Sequence, residues 1–354
     1  MGNLFNKKDS KKTKSSFQNG FDSVIVEDRS VSDASLRTTD PTRCVSNVAG
    51  SVHSEAVASL ASLSPGLCLS GSQDMTMVLY NYQTCQVQQR WKCHERAVTK
   101  VCYAEHCDRF FSCSRDKTAR MWKRDQTTPL TTFSGHEFVL TALDVQTGRD
   151  ILCTGSRDNT IRLWDITSGE CLSKKEIPRN LVTDAKFVKN SDLLVQTGED
   201  KEVRVFDTRT MDIVHTFLKN GLQYIQTSCD ITVDGQYCVT SSNGFNGAGC
   251  EATLWDFRSQ KPVHEYKGHV QCIEDCIFLT VESHDYIITC SRDNTVRVWH
   301  RDLGTCVVTY PIDGAGPLTS VIGYSDGSVC VGSFTQGIHQ LRLTSDSLQP
   351  VCQF

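Results

Sequence analysis

The sequence predicts an all-β fold of seven similar four-stranded blades closed into a ring, a seven-bladed β-propeller with a disordered N-terminal tail. Three observations predict it. One short phrase recurs along the chain, each copy ends on an apolar or aromatic anchor at a nearly constant interval, and short β-branched or aromatic runs alternate with Gly, Asp, Asn and Ser turns. The ring is expected over residues 49–354 and the lysine-rich tail over 1–48.

The phrase is clearest in three places. Ser114-Arg115-Asp116 leads to Trp122, Ser156-Arg157-Asp158 to Trp164-Asp165, and Ser291-Arg292-Asp293 to Trp299. Weaker copies fill the gaps. Ser72-Gln73-Asp74 leads to Tyr80 and Gly198-Glu199-Asp200 to Phe206-Asp207, Trp255-Asp256 ends a fifth copy, and Ser333 to Leu341 forms the last. The anchors Tyr80, Trp122, Trp164, Phe206, Trp255, Trp299 and Leu341 are 42, 42, 42, 49, 44 and 42 residues apart. An interval of about 40–45 residues suits one four-stranded blade.

Composition narrows the function. Of 354 residues, 39% are hydrophobic and 22% charged, which suits a soluble globular chain. The formal net charge of −4 provides no global basic field for nucleic acid. No apolar run approaches the roughly 18–20 residues of a spanning helix. Met1 to Ser16 has no apolar stretch after its charges, so no secretory leader is expected. The 18 cysteines read as small hydrophobes in a reducing, cytoplasmic setting. Cys113 and Cys290 each sit three residues before a motif aspartate, and no Cys-x-x-Cys pair exists. Cys272 and Cys276 have no matching second pair, so neither metal nor cofactor is expected.

Over about residues 50–344 these phrases resemble the WD-repeat family. The resemblance implies antiparallel blades around a central channel. One blade cannot bury both its faces, so the ring must close. Blades one and seven are expected to share strands, the outer strand of blade seven coming from Thr42–Val48 or from Gln349–Phe354.

A histidine lies 27 to 30 residues before several anchors: His53, His94, His136 and His269. With the phrase it forms the sets Ser114, Asp116, His94; Ser156, Asp158, His136; and Ser291, Asp293, His269. Ser, His and Asp together invite a hydrolase reading. Repetition argues against it, since catalysis needs one site with its own oxyanion hole. The resemblance implies a structural network instead, in which Asp orients His, His bonds Ser, and Ser reaches the indole of Trp122, Trp164 or Trp299. Blades four, five and seven lack the full set and are expected to be looser or held by other contacts.

Partner sites follow from the same resemblance, which places the residue before each motif aspartate on the top of the ring. These are Gln73, Arg115, Arg157, Glu199 and Arg292, with three arginines forming a basic patch suited to protein partners. Blade five carries about seven extra residues in Ser242 to Cys250, a glycine-rich loop expected to expose Phe245. Trp255-Asp-Phe-Arg258 reads as the Trp-Asp-x-Arg motif of cullin-RING ligase substrate receptors, with Phe206-Asp-Thr-Arg209 a degenerate copy.

The start Met1-Gly2-Asn3-Leu4-Phe5-Asn6 resembles an N-myristoylation signal at Gly2, departing from it at Asn6. Lys7, Lys8, Lys11, Lys12 and Lys14 would supply the second, electrostatic membrane signal. The chain length and the phrase Asn243 to Asp256 further resemble a ciliary branch of the family. That likeness implies a scaffold in cilium assembly or ciliary transport, alongside GTPase regulators or trafficking complexes.

Overall fold

In the computed structural model, residues 51–217, 223–335, 337–344 and 347–354 are described. They form seven antiparallel sheets of four consecutive strands each. The expected tail, with Gly2 and its lysines, lies outside the described residues.

Each blade starts with an inner strand and works outward. The inner strands are Val57–Ser62, Val98–Ala104, Leu140–Gln146, Val182–Phe187, Ile225–Ile231, Ile273–Val281 and Leu318–Gly323. Each touches the next, and the seventh touches the first, so the sheets close into a ring. The second and third strands of each blade are almost wholly buried, and all seven anchors sit buried on third strands. The fourth strands lie mostly exposed at the rim, with single buried residues such as Trp91 and Phe217 near their ends. Tight approach of neighbouring blades is visible at Gly155, where an added Cβ would lie 2.4 Å from Val182 Cγ1.

Closure differs from the expectation. Blade one is complete from Val57 to Lys92 and blade seven from Leu318 to Gln353, so no strand is shared. The C-terminal strand Leu348–Gln353 supplies the outer strand of blade seven, pairing with Ile338–Leu343. Side-chain staples hold the inner strands together instead. Threonine hydroxyls donate to a backbone carbonyl of the next inner strand: Thr99 to Leu140, Thr141 to Val182, Thr183 to Gln226, Thr227 to Ile273, and Thr319 to Val57, at 2.5–2.7 Å. Backbone N–H groups are met by carboxylates or hydroxyls of the preceding blade. Asp144 accepts from Phe187, Asp230 from Phe278, Asp275 from Val321, and Ser320 from Leu60. Each staple satisfies a polar group that the junction would otherwise bury unpaired.

Candidate functional site

Antiparallel strands put two classes of connection on one face: the turns between second and third strands, and the crossovers from a fourth strand to the next blade. The motif aspartates lie in the first class and the histidines in the second. The two meet there.

In blade two, His94 Nδ1 lies 2.8 Å from Asp116 Oδ2, His94 Nε2 lies 2.8 Å from Ser112 Oγ, and Trp122 Nε1 donates to Ser112 Oγ at 2.9 Å. Blade three repeats this with Asp158, His136, Thr154 and Trp164 at 2.8, 2.8 and 2.7 Å. In blade six Asp293, His269, Thr289 and Trp299 are 3.0, 2.7 and 2.9 Å apart. The indole N–H fills one lone pair of the hydroxyl oxygen, so the O–H points at Nε2 and the imidazole proton sits on Nδ1, facing the carboxylate. Every member is then satisfied by a neutral histidine. Burial, opposed by Asp293, holds His269 below its ordinary pKa.

The relay hydroxyl is therefore not the serine expected from the sequence. Ser114, Ser156 and Ser291 stand two residues further along the same strands. Ser112 opposes Arg120, placing it diagonal to Trp122 and within reach of its indole. Ser114 stands at the mouth of the turn, where it accepts from Asp116 N at 3.0 Å and donates to Arg96 and Ala97 carbonyls. Ser156 and Ser291 do the same with Phe138 and Gln271. The signal that finds the correct hydroxyl is Ser or Thr ten residues before the anchor: Ser70, Ser112, Thr154 and Thr289.

The aspartates are held well below the usual carboxylate range. Burial of Asp116 opposes its charge, but bonds from His94, Thr118 and Glu95 N–H outweigh it. Asp74, Asp158 and Asp293 have the same arrangement. In blade one Asp74, His53 and Ser70 keep the chain of bonds, but Tyr80 replaces the indole and stacks on Phe354. Blade five retains only Trp255 Nε1 on Thr240 Oγ1 at 3.0 Å among the described residues.

The three arginines share this face but do not make an open basic patch. Arg157 is paired with Glu199 at 2.5 Å, and Arg292 with Glu274. Arg115 is exposed, with no ion pair among the described residues. Beside exposed charges such as Glu95, Arg115, Lys117 and Glu137, the face exposes four large apolar side chains. Phe138 is 58% exposed, Phe245 70%, Val270 55% and Phe334 53%, and all four lie in turns or crossovers of this side. The blade-five loop is folded rather than loose. Phe245 bridges to Ala248 and Gln271, and Gly247 N–H donates to Val270 O at 3.0 Å. Gly249, at φ +71°, leaves the Tyr224 ring no room for a Cβ. Sequence reasoning found Phe245 but missed Phe138, Val270 and Phe334, although the first two follow a relay histidine within two residues.

On the opposite face the channel opens into a cavity of about 800 Å³ lined by Lys100, Asp144, Asp184, Lys186, Asp230 and Asp275. Lys100 Nζ lies 2.5 Å from Asp184 Oδ1. Burial, only partly offset by Lys186, pushes Asp230 up to about 6. Asp144, Asp230 and Asp275 are inter-blade staples, and Asp184 likewise accepts from Ser228 Oγ of the next blade, which assigns these carboxylates to closure. Arg258 is exposed on this lower side, while Arg209 folds back onto Asp207 at 3.0 and 2.6 Å. No group of metal-ligating side chains is present among the described residues.

Residues 85–123, 127–165 and 260–300 match the family model WD domain, G-beta repeat. Each match runs from the outer strand of one blade to the third strand of the next. The chain is 28% identical over 259 residues to a ribosome biogenesis protein WDR12 homolog of Drosophila pseudoobscura pseudoobscura, covering 66% of this chain and 59% of that protein. It is 28% identical over 213 residues to eukaryotic translation initiation factor 3 subunit I of Bombyx mori, covering 58% and 63%. The chain thus spans less than two thirds of either relative. The crystal structure of the WD40 beta propeller domain of Doa1 superposes with a TM-score of 0.71 at 21% identity, covering 83% of this chain and 95% of that one. Seven in-register anchors on seven four-stranded sheets make the chain a seven-bladed β-propeller, three of whose repeats match the WD domain, G-beta repeat model.

Proposed function

We propose that the chain is a non-enzymatic scaffold that binds protein partners on the face carrying the histidine turns. The observation that carries this reading is the set of exposed apolar side chains Phe138, Phe245, Val270 and Phe334 on hydrogen-bonded turns of that one face. Apolar groups held rigidly in solvent lose little entropy on docking and gain by desolvation. Phe245 and Val270 are neighbours at the junction of blades five and six, and they form the centre of the proposed contact. The His–Asp relays oppose catalysis, because their hydroxyls, Ser112, Thr154 and Thr289, are buried and committed to an indole. Proximity labelling from the intact chain, compared with Phe245→Asp/Val270→Asp, tests the reading. Loss of a defined set of partners is expected, and an unchanged set counts against it.

Membrane tethering through Gly2 and the lysines, and a ciliary role with GTPase regulators or trafficking complexes, extend this proposal on the sequence alone. The intact mass of the N-terminal peptide tests the anchor, and an unmodified glycine or a retained Met1 ends it. A second reading draws on the relatives' names: a subunit of a ribosome-biogenesis or translation-initiation assembly. The same labelling separates the two by what is recovered. The ligase-receptor reading rests on exposed Arg258, and Arg258→Ala should then abolish adaptor co-purification with the fold intact.

A further inference from the structure

Six junctions of the ring join blades that follow one another in the chain. The seventh, between blades seven and one, joins residues 257 to 262 apart in sequence through side-chain hydrogen bonds, with no common strand. It nevertheless repeats the packing of the other junctions at its outer margin. Phe133 packs on Trp164, Phe217 on Trp255 and Tyr266 on Trp299, each pairing the end of an outer strand with the next blade's anchor. Phe354 stacks on Tyr80 in the same way, with centroids 4.0 Å apart, and its backbone is fastened to Ile338 by two hydrogen bonds.

This repetition fixes what faces what two residues before the aromatic. At two of those junctions, Phe133 with Trp164 and Tyr266 with Trp299, that residue meets the turn five residues beyond the next anchor. A Cβ at Gly169 would lie 3.0 Å from Thr131 Cγ2, and one at Gly304 would lie 3.1 Å from His264 Nδ1. At the seam the corresponding residues are Cys352 and Cys85. Cys352 packs against the seam cluster that holds Tyr80 and Phe354, and its thiol donates to Gln340 Oε1 at 3.0 Å. Cys85 has φ +54°, a conformation that glycine fills at Gly169 and Gly304. Backbone geometry thus gives no reason for a cysteine there. Cys85 is exposed and Cys352 half-buried, whereas a second seam pair, Cys68 and Cys330, is fully buried.

We propose that Cys85 and Cys352 form a reversible disulfide that fastens the last strand of blade seven to blade one. The oxidant is a hydroperoxide. The exposed Cys85 thiolate attacks the peroxide oxygen, giving a sulfenic acid and hydroxide. Cys352 loses its proton to that hydroxide, forming water, and its sulfur displaces hydroxide from the Cys85 sulfenic acid. The released hydroxide takes a solvent proton equivalent to the one lost by Cys85. Two thiols and one hydrogen peroxide thus become one disulfide and two waters. Burial first pushes Cys352 up to about 11, and Cys85 is the exposed thiol of the two, so the peroxide reaches Cys85 first. A small-molecule disulfide reaches the same product by exchange, releasing two thiols.

The test uses the full chain, reduced and then exposed to hydrogen peroxide or to oxidised glutathione. Mapping under non-reducing conditions should recover a peptide joining Cys85 to Cys352, lighter by two hydrogens, from monomeric protein. Cys68 and Cys330 should stay alkylatable after unfolding. Oxidation should raise the melting midpoint by several degrees, reversibly with dithiothreitol, because the bond closes most of the chain into one loop. Cys85→Ser, at an exposed position, should abolish both the linked peptide and the oxidation-dependent shift, and Cys352→Ser should match it. Absence of the linked peptide, its formation only between molecules, or an unchanged midpoint in the oxidised monomer would overturn the proposal.

Discussion

Blades three and four are neighbours that hold the same turn with different chemistry. In blade three a neutral histidine connects Asp158 to Thr154, and Thr154 takes the indole N–H of Trp164. In blade four Phe206 stands at the anchor, so there is no indole N–H to satisfy. The hydroxyl position is then free to become Gln196, and Asn180 replaces the histidine. With its nitrogen donating to Asp200 Oδ1 at 3.2 Å, Asn180 accepts from Gln196 Nε2 at 2.9 Å and Arg204 Nη1 at 3.1 Å. Arg204 also holds Asp200 directly at 2.5 Å. The anchor therefore dictates the polar chain behind it. Once the N–H is gone, the whole set can change together, because partly satisfied buried groups cost more than a different complete set.

The largest break in this comparison is Trp164→Ala. It should cost roughly 3–5 kcal/mol, removing a large buried ring and stranding Thr154 and His136. Tyr80→Ala should cost less, because no indole bond is lost with it. Thermal melts of the two variants would show equal small shifts if the relay contributed nothing.

The next effect separates the two hydroxyls of one strand. Thr154→Ala leaves the Trp164 N–H and His136 Nε2 buried without a partner, and should cost about 2–3 kcal/mol. Ser156→Ala loses a turn hydrogen bond near the surface and should cost about 1 kcal/mol. Denaturant titrations in which Ser156→Ala is the more damaging would reverse the assignment made here.

Acid should distinguish the blades as well. Asp74, Asp116, Asp158 and Asp293 have folded pKa values below their unfolded ones, so the unfolded chain binds more protons as pH falls past about 4. Their contribution is present in full above that range and is lost progressively below it. Asp158→Asn should lower stability at neutral pH yet flatten the acid limb of the melting curve against pH. An acid limb identical to that of the native chain would contradict it.

Asp230 should behave in the opposite sense and more weakly. Its folded value of about 6 lies above the unfolded value near 4, so protonation between them favours the folded ring. Asp230→Asn keeps an acceptor for Phe278 N–H and should raise the midpoint at pH 7.5 by about 1–3 °C. The gain should vanish below about pH 4. A loss at neutral pH would show that its pairing with Lys186 outweighs burial.

Much of this was legible in the sequence, for physical reasons that vary by residue. The anchors Trp122, Trp164 and Trp299 announce themselves because a large buried side chain at one place in every blade must recur at blade length. His94, His136 and His269 were legible by the same spacing. The relay hydroxyl was not, because each second strand offers two hydroxyl-compatible positions on one face, such as Ser112 and Ser114. Only the register of the third strand decides between them. Closure was only partly legible: the tail was one of two sources offered for blade seven's outer strand, because the terminal strand Leu348–Gln353 carries no motif, and the threonine staples are common residues made special by their neighbours. Arg157 and Arg292 looked like a basic patch because Glu199 and Glu274 come close only in the folded ring.

The central claim is that the face built on the histidine turns is the one that partners touch. The direct measurement is partner recovery by the intact chain, Phe245→Asp/Val270→Asp and Arg258→Ala, with melting midpoints taken on the same samples. The account predicts unchanged midpoints throughout, loss of the bound set in the Phe245/Val270 variant, and retention in Arg258→Ala. Full retention by the Phe245/Val270 variant, with loss on Arg258→Ala, would place the working surface on the opposite side of the ring and contradict it.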